Sequence, residues 1–411
     1  MRLPRPSLAL LALTLFLTPT TRAAAGDAPL ALVGGTVLAS PDAPPLPDAV
    51  VVVRDGRIAA LGHRGAVAIP SGAVRIDCDG LFVTAAFQNS HVHFTEDKWV
   101  GAADLPAARL EAQLEEMFGQ HGFTTVFDLA SFAENTLALR ERIESGELRG
   151  PRILTAGYAL YPAQGIPYYL RDSMTPADLE RLRTPATAAA ASAAVRANLD
   201  AGADALKIFA VSWMGRGATQ PMDVEIARAA VAAAHERGRP VFAHPSNTQG
   251  LEIALAAGVD ILAHAVEDRR GWKPELTNAM LERGMALVPT LMLFDRDRFQ
   301  WEILDGVGEF VRRGGQILFG TDFGFLPVYD PKDEYVWMSA AGMSPVQIFA
   351  SLTTAPAGRF GESARRGRIA VGMDADLVVL GADPRNSVLA LTQVKTTIRA
   401  GRVLYDGEIP R

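Results

Sequence analysis

Apolar and polar positions follow three different rhythms along the chain. From Ala31 to about Val83 the runs ALVGGTVLAS, AVVVVRDGRIAALG and AVRIDCDGLFV are short, alternating and broken by turn residues, which predicts strands. Asp55-Gly56 between two such runs is a hairpin signal, because both residues tolerate positive φ. The style returns near the C-terminus in GRIAVGMDADLVVLG and TTIRAGRVLYDG. Two strand-rich ends around one long middle predict a small β-sandwich composed of residues 26–84 and 363–411.

The middle, residues 85–362, alternates short apolar strands with alanine-rich helical stretches. Strands are read in FVTAAFQNSHVHF, TTVFDLAS, RILTAGYAL, ALKIFAV, PVFAHPS, DILAHAV, ALVPTLML and ILFGTDFG, eight in all. Helices are expected at Pro106–Gln120, Pro185–Ala201, Asp223–Arg237, Leu251–Ala257, Pro274–Arg283 and Glu302–Arg313. Several run into Gly just before the next strand, as in HERGRP and LERGMA, which is helix C-cap chemistry. Eight β/α units in one domain predict an α/β fold, a (β/α)8 TIM barrel. A doubly wound open sheet is the rival, but no glycine-rich phosphate loop opens any helix.

The first residues change the picture of where the protein works. Arg2 and Arg5 precede the apolar run Leu8 to Leu17, and small residues follow at Ala23 to Ala25, so residues 1–25 are expected to be a cleaved secretory signal peptide. The apolar run is shorter than the roughly 20 residues of a spanning helix, which argues against a stable membrane anchor. A periplasmic or secreted protein is the expectation. Cys78 is the only cysteine, so no intrachain disulfide helps the core. The net charge of −6, without a block of Lys or Arg, points away from nucleic acid.

Candidate chemistry sits on the middle segment. His91 and His93 in Ser-His-Val-His-Phe are two apart on a strand, so both rings face one way and can share a metal. Lys207 lies in ALKIF, His244 ends PVFAH, His264 ends DILAH and Asp322 follows ILFGT. Each falls in or at the C-terminal end of a different strand, where barrel enzymes place their catalytic groups. Of the seven histidines, His63, His121 and His235 fall outside this pattern. Asp322 is the candidate general base as well as a metal ligand. Lys207 in an apolar strand either pairs with an acid such as Asp204 or Asp128, or is held neutral and takes up CO₂ as a carbamate ligand.

With HVH, Lys207, His244, His264 and Asp322 in this order, the sequence resembles the amidohydrolase superfamily, in its binuclear, carboxylated-lysine branch. SLTTAPAGRFG followed by GRIAVGMDADLVVL resembles the segment with which such enzymes leave the barrel. The resemblance implies that His91, His93 and Asp322 hold one divalent ion, that His244 and His264 hold a second, and that N6-carboxylysine at Lys207 bridges them. Zinc is the expected occupant. It further implies hydrolysis by a metal-activated water with Asp322 as proton acceptor, and homo-oligomers, which relatives often form.

Within the superfamily the pattern resembles the imidazolonepropionase-like and Xaa-Pro dipeptidase group, which implies a dipeptide, an N-acyl amino acid or a cyclic amide as substrate. A lactone or other ester hydrolase, and a barrel that binds metal without turnover, are the alternative readings. The sequence departs from relatives at AAFQNSHVH, where Pro-Gly is more usual before the HxH, at Ser246, where dipeptidases often have a histidine, and at Asn247, where ring deaminases carry a Glu. Substrate contacts are expected from Tyr161 and Tyr168 in LYPAQGIPYYL, from Arg216 after strand four, and from Ser246 and Asn247.

Overall fold

A computed structural model describes residues 28–215 and 217–407. The expected leader and Arg216 lie outside the described residues. Among the described residues, no helix is long and apolar enough to cross a membrane.

The alternating N-terminal runs form β1 (Leu30–Leu38), β2 (Leu46–Arg54), β3 (Arg57–His63), β4 (Val74–Asp77) and β5 (Phe82–Ala85). The hairpin between β2 and β3 turns on Asp55 and Gly56, at φ 51° and 72°, as the sequence predicts. The barrel strands follow as β6 (Phe87–Val92), β7 (Phe123–Asp128), β8 (Arg152–Thr155) and β9 (Leu206–Phe209). After β9 comes a hairpin, β10 (Val211–Gly215) with β11 (Ala218–Pro221), then β12 (Val241–His244), β13 (Ile261–Ala263) and β14 (Ala286–Val288). The C-terminal strands are β15 (Leu377–Leu380), β16 (Val394–Arg399) and β17 (Arg402–Asp406).

Strands from both ends of the chain join one eight-stranded sheet in the order β17-β16-β15-β5-β1-β2-β3, with β4 beside the first half of β1. Period-two alternation gives this sheet two apolar faces. Leu32, Val51, Val53, Val83, Leu377, Val379 and Ile398 fill its own core. Val378, Leu380 and Val394 point the other way and merge with the core around the barrel.

In the barrel, β6, β7 and β8 pair in parallel, as do β9, β12, β13 and β14. Backbone hydrogen bonds carry the circuit across the remaining gaps. The Leu160 N–H donates to the Lys207 carbonyl at 2.9 Å, Leu318 N–H to Leu287 carbonyl at 2.9 Å, and Ser90 N–H to Phe319 carbonyl at 2.7 Å. The segment Ile317–Thr321 thus serves as the eighth strand, which gives the (β/α)8 barrel. Phe127, Leu154, Phe242, Ile261, Val288 and Leu318 fill the interior. The helices Ala107–Met117, Ala188–Asp200, Val224–His235, Thr248–Ala257, Pro274–Glu282 and Gln300–Arg312 lie within two or three residues of the bounds expected from sequence.

Candidate active site

His91 is the fifth residue of β6 and His93 follows its last, so the pleat points both rings to one side. Lys207 is the second residue of β9, His244 ends β12, and His264 follows β13. Asp322 follows the eighth strand segment, and its N–H donates to the His91 carbonyl at 2.9 Å. Two glycines let the eighth segment come this close. A Cβ on Gly320 would lie 2.8 Å from the His91 Cβ, and one on Gly324, at φ 90°, would lie 2.0 Å from the His93 carbonyl oxygen. Of ten non-glycine residues with positive φ among the described residues, five gather at these strand ends: Ala130, Ser246, His264, Thr290 and Asp322. Such backbone is stored at sites where side-chain aim matters, at a cost of roughly 1–3 kcal/mol each.

The rings are oriented from behind. His93 Nδ1 lies 3.0 Å from the Ala130 carbonyl, which can only accept, so in the neutral ring the proton is on Nδ1 and Nε2 is bare. Thr290 donates its hydroxyl to the Pro289 carbonyl at 2.8 Å, so its Oγ1 accepts from His264 Nδ1, also at 2.8 Å, and His264 Nε2 is bare too. Burial first, then the neighbouring Lys207, holds the His91 and His244 rings well below the usual histidine range; for His264, burial is followed by His244 and then Lys207.

The bare Nε2 of His93 therefore meets the Asp322 carboxylate, with His91 beside both. Asp322 Oδ1 lies 2.9 Å from His93 Nε2 and 3.2 Å from His91 Nε2, and the two imidazole nitrogens are 3.3 Å apart. His91, His264 and Asp322 each offer a ligand atom within 4.8 Å of the others, and the His244 ring lies 4.6 Å from that of His264. Lone pairs facing lone pairs repel unless a cation joins them. Ligands at about 2.0–2.2 Å from one zinc-sized ion sit about 3 Å from each other, so the residues present fit a divalent metal.

Lys207 is 1% exposed, and no ion pair among the described residues includes it. Asp204 is taken by Arg140 at 2.7 Å, and Asp128 accepts three hydroxyls, from Ser131, Thr136 and Thr155, at 2.5, 3.0 and 2.8 Å. Burial pushes the Lys207 amine down to about 7 against the pull of Asp322 and Asp128. A neutral amine is the form that can ligate, or add CO₂.

The expected substrate contacts scatter. Tyr161 is buried and stacks on Phe209 at 4.5 Å, which stacks in turn on His244 at 4.6 Å. Tyr168 is 43% exposed, and it is its neighbour Tyr169 whose phenol is raised by burial and by the nearby Tyr161 and Asp322. Ser246 donates to the Val211 carbonyl at 2.8 Å, and Asn247 caps the helix Thr248–Ala257 by accepting from the Gly250 N–H at 3.0 Å. Sequence reading passed over Glu267, which accepts from Trp213 Nε1 at 2.9 Å and is pushed by burial up to about 7. Its position three residues beyond His264 carries no signal of its own in the apolar pattern. The β10–β11 hairpin that brings Trp213 to it is equally silent in the apolar pattern.

Comparison with known proteins bears on the family and the fold. The chain is similar to the crystal structure of a candidate prolidase from Bifidobacterium longum, 28% identical over 93% of this chain and 96% of that one, with a TM-score of 0.76. It is similar to an amidohydrolase at 26% identity, covering 93% of this chain and 100% of that one, with a TM-score of 0.75. A Xaa-Pro dipeptidase with methionine in its active site shares the fold at 23% identity and a TM-score of 0.76, over 92% of this chain and 100% of that one. A search of curated proteins gives no match. The profile of the amidohydrolase family matches residues 82–404, the whole barrel and most of the C-terminal strands, and the chain accordingly belongs to the amidohydrolase family as a hydrolase of carbon–nitrogen bonds.

Proposed function

We propose that the protein is an exported binuclear amidohydrolase that cleaves an amide or peptide bond in a small molecule, a dipeptide, an N-acyl amino acid or a cyclic amide. The observation that carries it is the convergence of His91, His93 and Asp322 at 2.9–3.3 Å, with the His93 Nε2 bare toward the carboxylate. His91, His93 and Asp322 would hold one divalent ion, His244 and His264 a second, and carboxylated Lys207 would join the two. Zinc, when bound, supplies Lewis acidity toward the amide carbonyl and lowers the pKa of water.

The chain's own residues do the rest. Asp322 Oδ1, beside both His91 and His93, is placed to accept the proton of the attacking water and to return it to the leaving nitrogen. Ala130 and Thr290 hold His93 and His264 in the tautomer with Nε2 free, the atom each ring would offer to a metal ion. Tyr161 and Phe209 wall the site beside His244 and exclude water from that side. The similar structures described as a prolidase and a Xaa-Pro dipeptidase support a peptide-like substrate. Residues 1–25 fit an export leader, and the periplasmic or secreted location is part of the proposal.

The test is metal content by elemental analysis of protein purified with bicarbonate, wild type beside Lys207→Ala. About two metals per chain, falling in the variant together with hydrolysis of a dipeptide and N-acyl amino acid panel, is the expected result. About one metal per chain, indifferent to Lys207, overturns the binuclear reading.

A further inference from the structure

Among the described residues, two covered carboxylates around the mouth of the barrel, Glu334 and Glu267, are left with neutral donors alone and a spare oxygen each. Asp268 receives Arg270 Nε on both oxygens at 2.9 Å, and Asp128 receives three hydroxyls. Glu334, fully buried beside the Met292 N–H, is pushed by burial up to about 8 and is largely neutral at neutral pH. Asp322 faces the histidines. Glu267 is largely covered, yet has one neutral donor, Trp213 Nε1, and its Oε1 bonds to nothing among the described residues. The acids Asp297 and Asp268 bear on it unfavourably and Arg298 favourably, but the Arg298 guanidinium makes no ion pair and lies over the Phe299 ring at 4.4 Å. A partly covered carboxylate with one neutral partner and a spare oxygen can take a cation.

Its place in the fold says where that cation would come from. Glu267 is three residues beyond His264, and its neighbour Asp268 is tied by backbone N–H to the Ser246 carbonyl at 3.1 Å. Ser246 is tied in turn to Val211, two residues before Trp213. The ends of the fourth, fifth and sixth barrel strands are thus stitched together, with the Trp213–Glu267 pair next to His244 and His264. Tyr169 lies within electrostatic reach of both Asp322 and Glu267.

We propose that Glu267 is a specificity-determining residue that binds a cationic amine of the substrate, so that the molecule cleaved carries a free ammonium group, a dipeptide rather than an N-acyl amino acid. This rests on the reaction proposed above. An ammonium brings three donors and a charge to a carboxylate with a spare oxygen. Trp213 fixes the rotamer by occupying Oε2. Burial already holds the carboxyl near neutrality in the free enzyme, and an arriving cation draws it to the ionised form.

Three substrates test it on the metal-loaded enzyme: Ala-Leu, N-acetyl-Ala-Leu, and N-acetyl-Lys-Leu, which moves the cation to the side chain. Wild type is expected to prefer one cationic substrate over N-acetyl-Ala-Leu by about tenfold or more in kcat/KM, through KM. Preference for Ala-Leu identifies the terminal ammonium, and preference for N-acetyl-Lys-Leu the side-chain cation. Glu267→Gln keeps an acceptor for Trp213 and is expected to bring the ratio to about 1. Equal kcat/KM on all three in wild type, or a preference that survives Glu267→Gln, overturns the proposal. Cleavage of none of them would refute the reaction instead. Calorimetric binding of the same peptides to Asp322→Asn then still decides Glu267, and equal or absent binding of all three overturns it.

Discussion

Two buried charged clusters sit at opposite ends of the barrel strands, and they are solved in opposite ways. At the N-terminal end, Arg366 is 6% exposed and reaches Asp374 at 2.8 Å, Glu362 at 3.3 Å, Asp376 at 3.6 Å and the Thr125 hydroxyl at 3.2 Å. Its acids have further cations, Arg152 on Glu362 at 2.7 Å and Arg365 on Asp374 at 3.0 Å. At the C-terminal end, His91, His93 and Asp322 are packed together, but the bare His93 Nε2 faces the Asp322 carboxylate and the His91 Nδ1 has no partner among the described residues. A cluster complete in the protein alone ties the terminal sheet to the barrel. A cluster that needs a cation from outside marks the site of chemistry.

The largest effect expected from breaking this contrast is on turnover. Asp322→Asn should lower kcat by about 100- to 10,000-fold, the usual range for a lost proton acceptor. Its amide N–H can donate to His93 Nε2, so the metal-free variant should be at least as stable as metal-free wild type in a urea titration. Retention of wild-type kcat, or a clear loss of metal-free stability, would show that the cluster is structural.

Arg366→Met asks the reverse question of the other end. Removing the guanidinium leaves Asp376 and Glu362 with less compensation inside the protein, and the expected loss is about 3 kcal/mol of unfolding free energy. Metal content and kcat per folded chain should stay within about twofold, because the change lies at the far end of the strands. A drop in kcat at unchanged stability would break the division between the two ends.

How much of this was legible in the chain follows from what each residue depends on. His91, His93, His244, His264 and Asp322 could be picked out because each ends a run whose apolar period fixes the strand, and strand ends lie together at one face of a barrel. Lys207 stood out because an ammonium is foreign to an apolar strand. The partners behind them were not legible. Ala130 acts through its carbonyl, which any residue supplies, and Thr290 presents its hydroxyl from a left-handed backbone at φ 46° that no apolar period signals. Tyr168 and Tyr169 open the short helix Tyr168–Ser173, and a segment of six residues has no period to say which ring turns inward. The eighth strand was read from ILFGT, although it joins the circuit through only a few backbone hydrogen bonds.

His121 sharpens the comparison from a third direction, as a covered ionisable group that no ligand compensates. Its ring lies 6.1 Å from that of Phe323, and burial pushes it down to about 4. The unfolded chain, near the ordinary value of about 6.5, binds the proton that the folded chain refuses between these values. Stability is therefore full above about pH 6.5 and falls as pH drops toward 4, by about 2–3 kcal/mol in all. His121→Gln should flatten the urea midpoint over that window, whereas an unchanged slope would place the acid sensitivity at the metal cluster.

The smallest effect separates two roles for one residue. Asn247 follows the strand that ends in His244, close enough to be read as a substrate contact, yet its side-chain oxygen accepts the Gly250 N–H at 3.0 Å and its backbone is extended, at φ −141°, as an N-cap requires. A cap lost to alanine costs about 1 kcal/mol, because the first turn is left with an unsatisfied donor. Asn247→Ala should show that loss in the urea midpoint with KM within about twofold of wild type, and Asn247→Asp or Asn247→Ser should restore the midpoint, since either oxygen can cap. A KM raised about tenfold at unchanged stability would return Asn247 to the substrate pocket, and with it the idea that the mouth of the fifth strand reads the substrate directly.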